Sequence, residues 1–174
     1  MTKIPTAAGT SADLLSLTNE RWDAFVAYTD ALTPEQWTTP TDPAGWSVKD
    51  HVAHVTSWGE ADMEVIRNGT PQQQTLGVSD AAWTAGGYDA MNEEIRQRTI
   101  DHPVETVQAE RDRVWSEMLA LVSSFSDEQL AGPATDAGIN RVDATLYETL
   151  VEFLPEHYDE HRGYIEVIVT GGTA

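Results

Sequence analysis

The amino-acid sequence predicts an all-α protein, a four-helix bundle with a long crossover between its second and third helices. Four segments repeat apolar residues at the spacing of a helix face, and helix-capping or helix-breaking residues bound several of them. No segment alternates apolar and polar residues over five or more positions, so strand signals are absent. At 174 residues the chain is long enough for one domain and short for two.

The first predicted helix covers residues 11–32. Its apolar residues recur every three or four positions and predict one buried face. The members of this face are Leu14, Leu15, Thr18, Trp22, Phe25, Thr29 and Leu32. A one-turn helix is predicted at residues 33–37, because the capping residue Thr33 is followed by Pro34 and, three positions after the cap, by Gln36.

The second helix begins after Ser47, which forms a capping box with Asp50, and it ends before Gly69. Its apolar side includes Val, Met and Ile at helical spacing. Residues 69–86 are rich in Gly and Gln, which indicates a long connection with one helical turn at residues 81–84. A connection of this length permits a crossover in a helix bundle.

The third helix is predicted in two pieces, residues 88–99 and 104–125, because Asp-His-Pro at residues 101–103 breaks it. The fourth covers residues 144–170. Pro155 lies inside this last segment, where a proline removes one backbone hydrogen bond, so we expect either a kink or two separate helices.

We expect one domain at residues 11–170 between flexible termini at residues 1–10 and 171–174. The start of the chain lacks the apolar run of a signal peptide, and no apolar stretch is long enough to span a membrane, so we expect a cytoplasmic protein. The net charge is −19, with 29 acidic residues against 10 basic ones, and such a charge disfavours nucleic-acid and membrane-surface partners.

Two segments repeat one pattern of a helix end, a cap, Glu-Gln, an apolar residue and Pro: residues 31–40 and 124–133. Each precedes a helix that carries histidines. Short capped turns are common, so coincidence is one interpretation; a pseudo-twofold arrangement of two helix pairs is the other. In that arrangement the second and fourth helices would be antiparallel and their histidines would meet.

His157 and His161 lie one turn apart on a stripe of the fourth helix that is otherwise apolar. The other members of this stripe are Leu146, Leu150, Leu154, Tyr164 and Ile168. Two neutral imidazoles in apolar surroundings are costly unless their nitrogens find partners, and one divalent cation could satisfy both. With no cysteine in the chain, such a metal must be held by His, Asp or Glu.

A third ligand is needed for the open site of a metal enzyme, and the candidates are His51, His54, His102 and nearby carboxylates. Helical periodicity mildly favours His51, which lies inside the apolar face of the second helix, whereas His54 lies on its flank. The residues alone leave this choice open.

Two segments carry family motifs: residues 45–58 read Gly-Trp-Ser-Val-Lys-Asp-His-Val-Ala-His-Val-Thr-Ser-Trp, and residues 156–162 read Glu-His-Tyr-Asp-Glu-His-Arg. These motifs resemble the DinB-like superfamily, which includes the ClbS/DfsB-type bundle proteins and the thiol-dependent maleylpyruvate isomerases. The resemblance implies a metal-binding four-helix bundle. It also implies that the histidine eight residues after the motif tryptophan is a ligand, together with the later pair.

The metal triad implied by the resemblance is His54, His157 and His161. His51 falls where relatives usually carry an aliphatic residue, and Pro155 departs from the family pattern. Zinc or nickel suits three imidazoles. The resemblance also makes a homodimer possible.

The resemblance implies a metal-dependent enzyme that activates a low-molecular-weight thiol or water against an electrophilic small molecule, in a detoxifying or isomerising role. Glu160 flanks His157 and is the candidate general base. The alternatives are a ClbS/DfsB-type stress or self-protection protein that binds or hydrolyses a reactive metabolite, and a metal-binding bundle without activity. His-x-x-Glu-His also matches a metallopeptidase signature, but only 13 residues follow His161, too few for the further ligand those enzymes need.

Overall fold

The computed structural model describes residues 9–171, so the expected flexible termini lie largely outside the described residues. Its α-helices are α1 (Ser11–Asp30), α2 (Pro34–Thr38), α3 (Val48–Asn68), α4 (Gln72–Leu76), α5 (Asp80–Thr84), α6 (Asp89–Thr99), α7 (Val104–Ser123), α8 (Asp127–Ala131), α9 (Leu146–Val151) and α10 (His157–Thr170). A 3₁₀ turn (Ala134–Ala137) and a π segment (Glu152–Glu156) complete them. No strand forms within the described range, which confirms the all-α prediction.

The four bundle helices correspond to α1, α3, the α6–α7 pair, and the continuous run of α9, the π segment and α10. α3 lies in the middle of the packing, in contact with α6, α7 and α10, while α1 packs against α7, α10 and the π segment. The connection after α3 holds two short helices, α4 and α5, where the sequence predicted one turn.

Aromatic side chains dominate the core between α1, α7 and α10. The Trp22 and Trp115 rings stack at 4.4 Å, and Tyr158 meets Trp22 edge-on at 5.3 Å. Phe25 and Leu14 on the same face of α1 are fully buried, as the periodicity predicted. Large rings of this kind remove a large apolar area from water and hold the bundle helices in place.

The repeated sequence pattern has a repeated local structure. Each copy forms a short capped helix, then an isolated antiparallel bridge, then a capping box that starts a histidine-bearing helix. Each copy thus includes two capping boxes: Thr33 with Gln36 and Ser47 with Asp50 in the first, and Ser126 with Gln129 and Thr145 with Glu148 in the second. α3 and α9 therefore begin in the same way.

Pro155 divides the fourth bundle helix. It lies in the π segment, whose wider turns tolerate the missing N–H of proline without ending the helix. The prediction that proline would perturb this helix is confirmed, and the perturbation is a π segment. The chain continues directly into α10, whose first residue is His157.

Candidate metal centre

Four histidines meet where α3 passes α10. His51 Nδ1 lies 2.9 Å from His161 Nδ1, and His54 Nε2 lies 3.2 Å from His157 Nε2. The earlier histidine of α3 thus faces the later histidine of α10, so the two helices run antiparallel at this point. This meeting is what the pseudo-twofold interpretation of the repeated pattern predicted, and coincidence was its alternative.

Three of these rings form one compact group. His54, His157 and His161 each offer a nitrogen within 4.8 Å of the others, a spacing at which a single ion could be held. His51 lies outside the group, behind His161, although periodicity mildly favoured it. His102 is remote from the cluster and faces Glu110 at 3.8 Å.

Burial keeps the three imidazoles neutral. His54 and His161 are buried, and desolvation lowers the pKa of each well below the usual value, with the neighbouring histidines lowering it further. Burial also lowers the pKa of His157, against the raising effects of Glu160 and of a hydrogen bond to the backbone of Phe153. Neutral imidazole is the form that binds metal.

The donor set fits a divalent metal. His54 Nδ1 is buried and finds no hydrogen-bond partner among residues 9–171, and two Nε2 atoms face each other across the cluster. Imidazole nitrogens are ligands for zinc, nickel and copper, and three of them leave a position open for a substrate.

Asp42 joins the cluster from the turn before α3, a position that the sequence analysis did not single out. Its Oδ2 lies 3.4 Å from His51 Nε2, and its Oδ1 accepts the backbone N–H of Trp46 at 2.9 Å. Gly45, with φ at 85°, closes this turn in a conformation that favours glycine. In the sequence, Asp42 lies three residues before Gly45, the first residue of the first motif. This nearness to the motif was the sequence signal for Asp42.

Glu160, the predicted general base, lies on the exposed side of α10 at the edge of the cluster. It accepts a hydrogen bond from the Tyr164 hydroxyl at 2.7 Å, and its charge raises the pKa of His157. The carboxylate is therefore close to the three clustered histidines and accessible to solvent.

A cavity of about 1290 Å³ opens onto the cluster. Its aromatic lining is Trp46, Trp58, Trp83, Tyr88, Phe153 and Tyr164. Seven carboxylate side chains and one arginine also line it among the described residues. The cavity therefore offers apolar contact surface together with negative charge.

Asp62 is a buried carboxyl in the cavity wall that the sequence analysis missed. Its side chain accepts a hydrogen bond from Gln72 at 3.2 Å, and burial raises its pKa to about 7. His54, Trp58 and Asp62 follow one another at four-residue spacing, so the helical stripe that begins at His54 was the available signal.

None of the helices in the described range combines the length and the apolar character needed to cross a lipid bilayer.

A family model described as the DinB superfamily matches residues 17–165. Among solved structures, the colibactin self-resistance protein ClbS, crystallised in complex with a dsDNA, is similar with a TM-score of 0.71 and 15% identity over 95% of this chain and 97% of that one. An uncharacterised protein from Clostridium difficile 630 gives 0.70 and 15% over 94% and 96%, and one from Escherichia coli UTI89 gives 0.69 and 15% over 93% and 94%. No curated protein matches significantly.

The exclusion of nucleic-acid partners on the basis of net charge is wrong. ClbS, which shares this fold, was crystallised with double-stranded DNA. Net charge averages over the whole surface, whereas binding depends on the local arrangement of charge, and the fold itself is compatible with a nucleic-acid partner.

Proposed function

The chain belongs to the DinB superfamily, and on that premise we propose that it is a metal-dependent enzyme acting on an electrophilic small molecule. His54, His157 and His161 would hold one divalent metal, zinc or nickel, and the attacking group would be a low-molecular-weight thiol or water. The role would be detoxification or isomerisation.

The convergence of three neutral imidazoles from two antiparallel helices supports this proposal most strongly. Their nitrogens lie within 4.8 Å of one another at a cavity wall, and a buried His54 nitrogen has no hydrogen-bond partner within the described range. Buried imidazoles without partners are costly. A shared cation would give one nitrogen of each ring a partner.

A bound divalent metal supplies Lewis acidity that lowers the pKa of a coordinated thiol or water to near neutrality. Glu160, hydrogen-bonded to Tyr164 at the rim, would take up the proton that the attacking group releases. Trp46 packs against His54 with ring centroids 5.4 Å apart and forms part of the cavity wall beside the cluster.

The thiol would have to be a small molecule, because the chain contains no cysteine. The cavity of about 1290 Å³ has room for both a thiol and an electrophile. Its aromatic walls would hold an apolar electrophile, which favours this reaction class over hydrolysis of a peptide.

Thiol transfer to 1-chloro-2,4-dinitrobenzene tests the proposal. In that reaction the thiol sulfur bonds to the ring carbon, chloride leaves, and the thiol proton is released. We expect the zinc- or nickel-loaded protein to accelerate it with glutathione or cysteine as the thiol. His54→Ala should abolish both metal retention and the acceleration, while His102→Ala, remote from the cluster, should preserve both.

An equal rate for the loaded wild type and for His54→Ala would overturn the proposal. Glu160→Gln sharpens the test. Because this carboxylate would accept the proton, we expect turnover to fall by about 10²-fold or more while the metal stays bound.

A second candidate is a self-protection protein that binds or hydrolyses a reactive metabolite. It is favoured by the likeness to ClbS along 95% of this chain, at 15% identity. Under this function the aromatic cavity would sequester the metabolite, and metal would be dispensable.

Protection of cells by the His54→Ala protein, with metal absent, would favour this second function over the first. Double-stranded DNA belongs among the ligands of that test, because ClbS was crystallised with it. Titration of labelled duplex DNA with the wild-type protein measures this directly.

A further inference from the structure

His51 touches the metal triad from behind without belonging to it. Its Nδ1 lies 2.9 Å from His161 Nδ1, and its Nε2 faces Asp42 Oδ2 at 3.4 Å. The backbone N–H of Trp46 in turn holds the other oxygen of Asp42 at 2.9 Å. The three side chains form a line from the turn before α3 to the ligand cluster.

The chemistry of these three side chains determines which nitrogen of each histidine carries the proton. Two imidazole nitrogens bond to each other only when one carries a proton and the other does not. His51 Nε2 makes no hydrogen bond among the described residues, but the carboxylate of Asp42 lies 3.4 Å away and its negative charge favours a proton at Nε2, which leaves Nδ1 unprotonated. His161 must then donate from Nδ1, which leaves the lone pair of His161 on Nε2.

We propose that Asp42 and His51 are positioning residues for the metal, which act by holding His161 in the tautomer with its proton on Nδ1. His161 thereby presents Nε2 as a ligand. The proposal rests on the metal site described under Proposed function.

The contacts around His51 support a fixed orientation. Its side chain is buried, and its ring has Trp46 at 5.3 Å and Tyr164 at 5.7 Å as neighbours, centroid to centroid. A buried ring with two close aromatic neighbours has little room to rotate and exchange its two nitrogens. In the hydrogen bond between the two rings, His161 therefore stays the donor and His51 the acceptor.

Nitrogen-15 NMR of the metal-free protein at pH 8 tests the tautomer. We expect His161 to be protonated on Nδ1 in the wild type and to shift toward the Nε2-protonated form in His51→Leu. Protonation of wild-type His161 on Nε2 would overturn the proposal. This readout needs no metal, so it is separable from failure of the proposed function.

Zinc affinity, measured by competition with a chelator, tests the consequence. We expect His51→Leu to bind zinc about 10- to 100-fold more weakly, and Asp42→Asn to shift in the same direction. His51→Asn should stay within about threefold of wild type, because its side-chain oxygen can accept the His161 N–H, an effect that loss of packing alone would not produce. His102→Leu serves as the matched control and should bind as the wild type does.

Equal affinity of wild type and His51→Leu, or equal weakening by Leu and Asn, would overturn the positioning role. If the wild type itself binds no zinc, the proposed function is wrong, and the NMR result alone then decides how His51 orients His161. Circular dichroism of each variant shows that the fold is retained.

Discussion

The two helices that carry the histidines begin alike and continue differently. α3 is one regular helix of 21 residues, whereas its counterpart is divided into α9, a π segment and α10. Both follow a short capped helix and an isolated bridge, and both start with a capping box. Their histidines also differ in spacing, three positions apart in α3 and four in α10.

The histidines of both helices nevertheless reach the same cluster. In α10 a four-residue step keeps His157 and His161 on one face, so both reach the cluster. In α3 the three-residue step also keeps both histidines on one side of the helix, where His51 contacts His161 and Asp42 and His54 faces His157. The two helices therefore begin with equivalent N-terminal caps. The residues further along each helix determine which side chains it contributes to the site.

The largest effect is expected at Asp62, on the regular helix. Burial raises its pKa from 3.8 to about 7, so the folded state binds a proton that the unfolded chain releases between these values. Stability is therefore lost as the pH rises from about 4 to about 7. Asp62→Asn should raise the free energy of unfolding by about 4 kcal/mol at pH 8 and by less than about 2 kcal/mol at pH 5.

Urea unfolding at the two pH values measures this difference. Asp23→Asn, an exposed position on α1 with the same change in charge, is the control and should show no such pH dependence. A gain at Asp62 that is the same at pH 5 and pH 8 would contradict the assignment of a buried, proton-binding carboxyl.

Proline should affect the stability of the two helices differently. Glu60→Pro, at an exposed position within α3, should lower the free energy of unfolding by about 3 kcal/mol or more, because a regular helix loses a hydrogen bond and meets a clash. Pro155→Ala should change it by less than about 1 kcal/mol, because the π segment already accommodates the ring.

Thermal and urea unfolding measure both variants. Glu60→Ala is the control for the ion pair that Glu60 makes with Arg113, and it should cost less than about 1 kcal/mol. A loss at Pro155→Ala as large as that at Glu60→Pro would mean that proline holds the π segment rather than being tolerated by it.

Smaller losses of stability are expected at the N-terminal caps of α3 and α9, where the two helices are alike. Ser47→Ala and Thr145→Ala each remove the side chain that accepts the backbone N–H three residues later, at 3.3 Å and 3.1 Å. Each should cost about 1 kcal/mol in urea unfolding. Ser123→Ala, at the end of α7, is the control, and a clearly unequal cost at the two caps would break the equivalence of the two helix starts.

Much of the fold was predictable because it depends on local signals. Capping boxes, Gly69 and the apolar periodicity of α1 act within a few residues, and the structure follows them closely. The π segment could be anticipated only as a disturbance at Pro155, because proline removes a hydrogen bond without specifying which wider turn replaces it.

The site was only partly predictable because it depends on contacts between distant segments. Periodicity compares the faces of one helix, and it placed His51 further inside than His54. It carries no information on where α10 crosses α3, and that crossing is what brings His54 within 3.2 Å of His157. The family motif selected His54, while Asp42 and Asp62 had only weak local signals in the sequence and were placed at the site by the assembled cavity.

Metal stoichiometry of the untagged protein tests the shared site most directly. After dialysis against zinc or nickel and then against metal-free buffer, elemental analysis should give one equivalent per chain for the wild type. It should give less than about a tenth for His54→Ala and for His157→Ala alike, because open imidazole sites need all three rings. A full equivalent retained by His54→Ala would contradict the claim that α3 and α10 hold one ion between them.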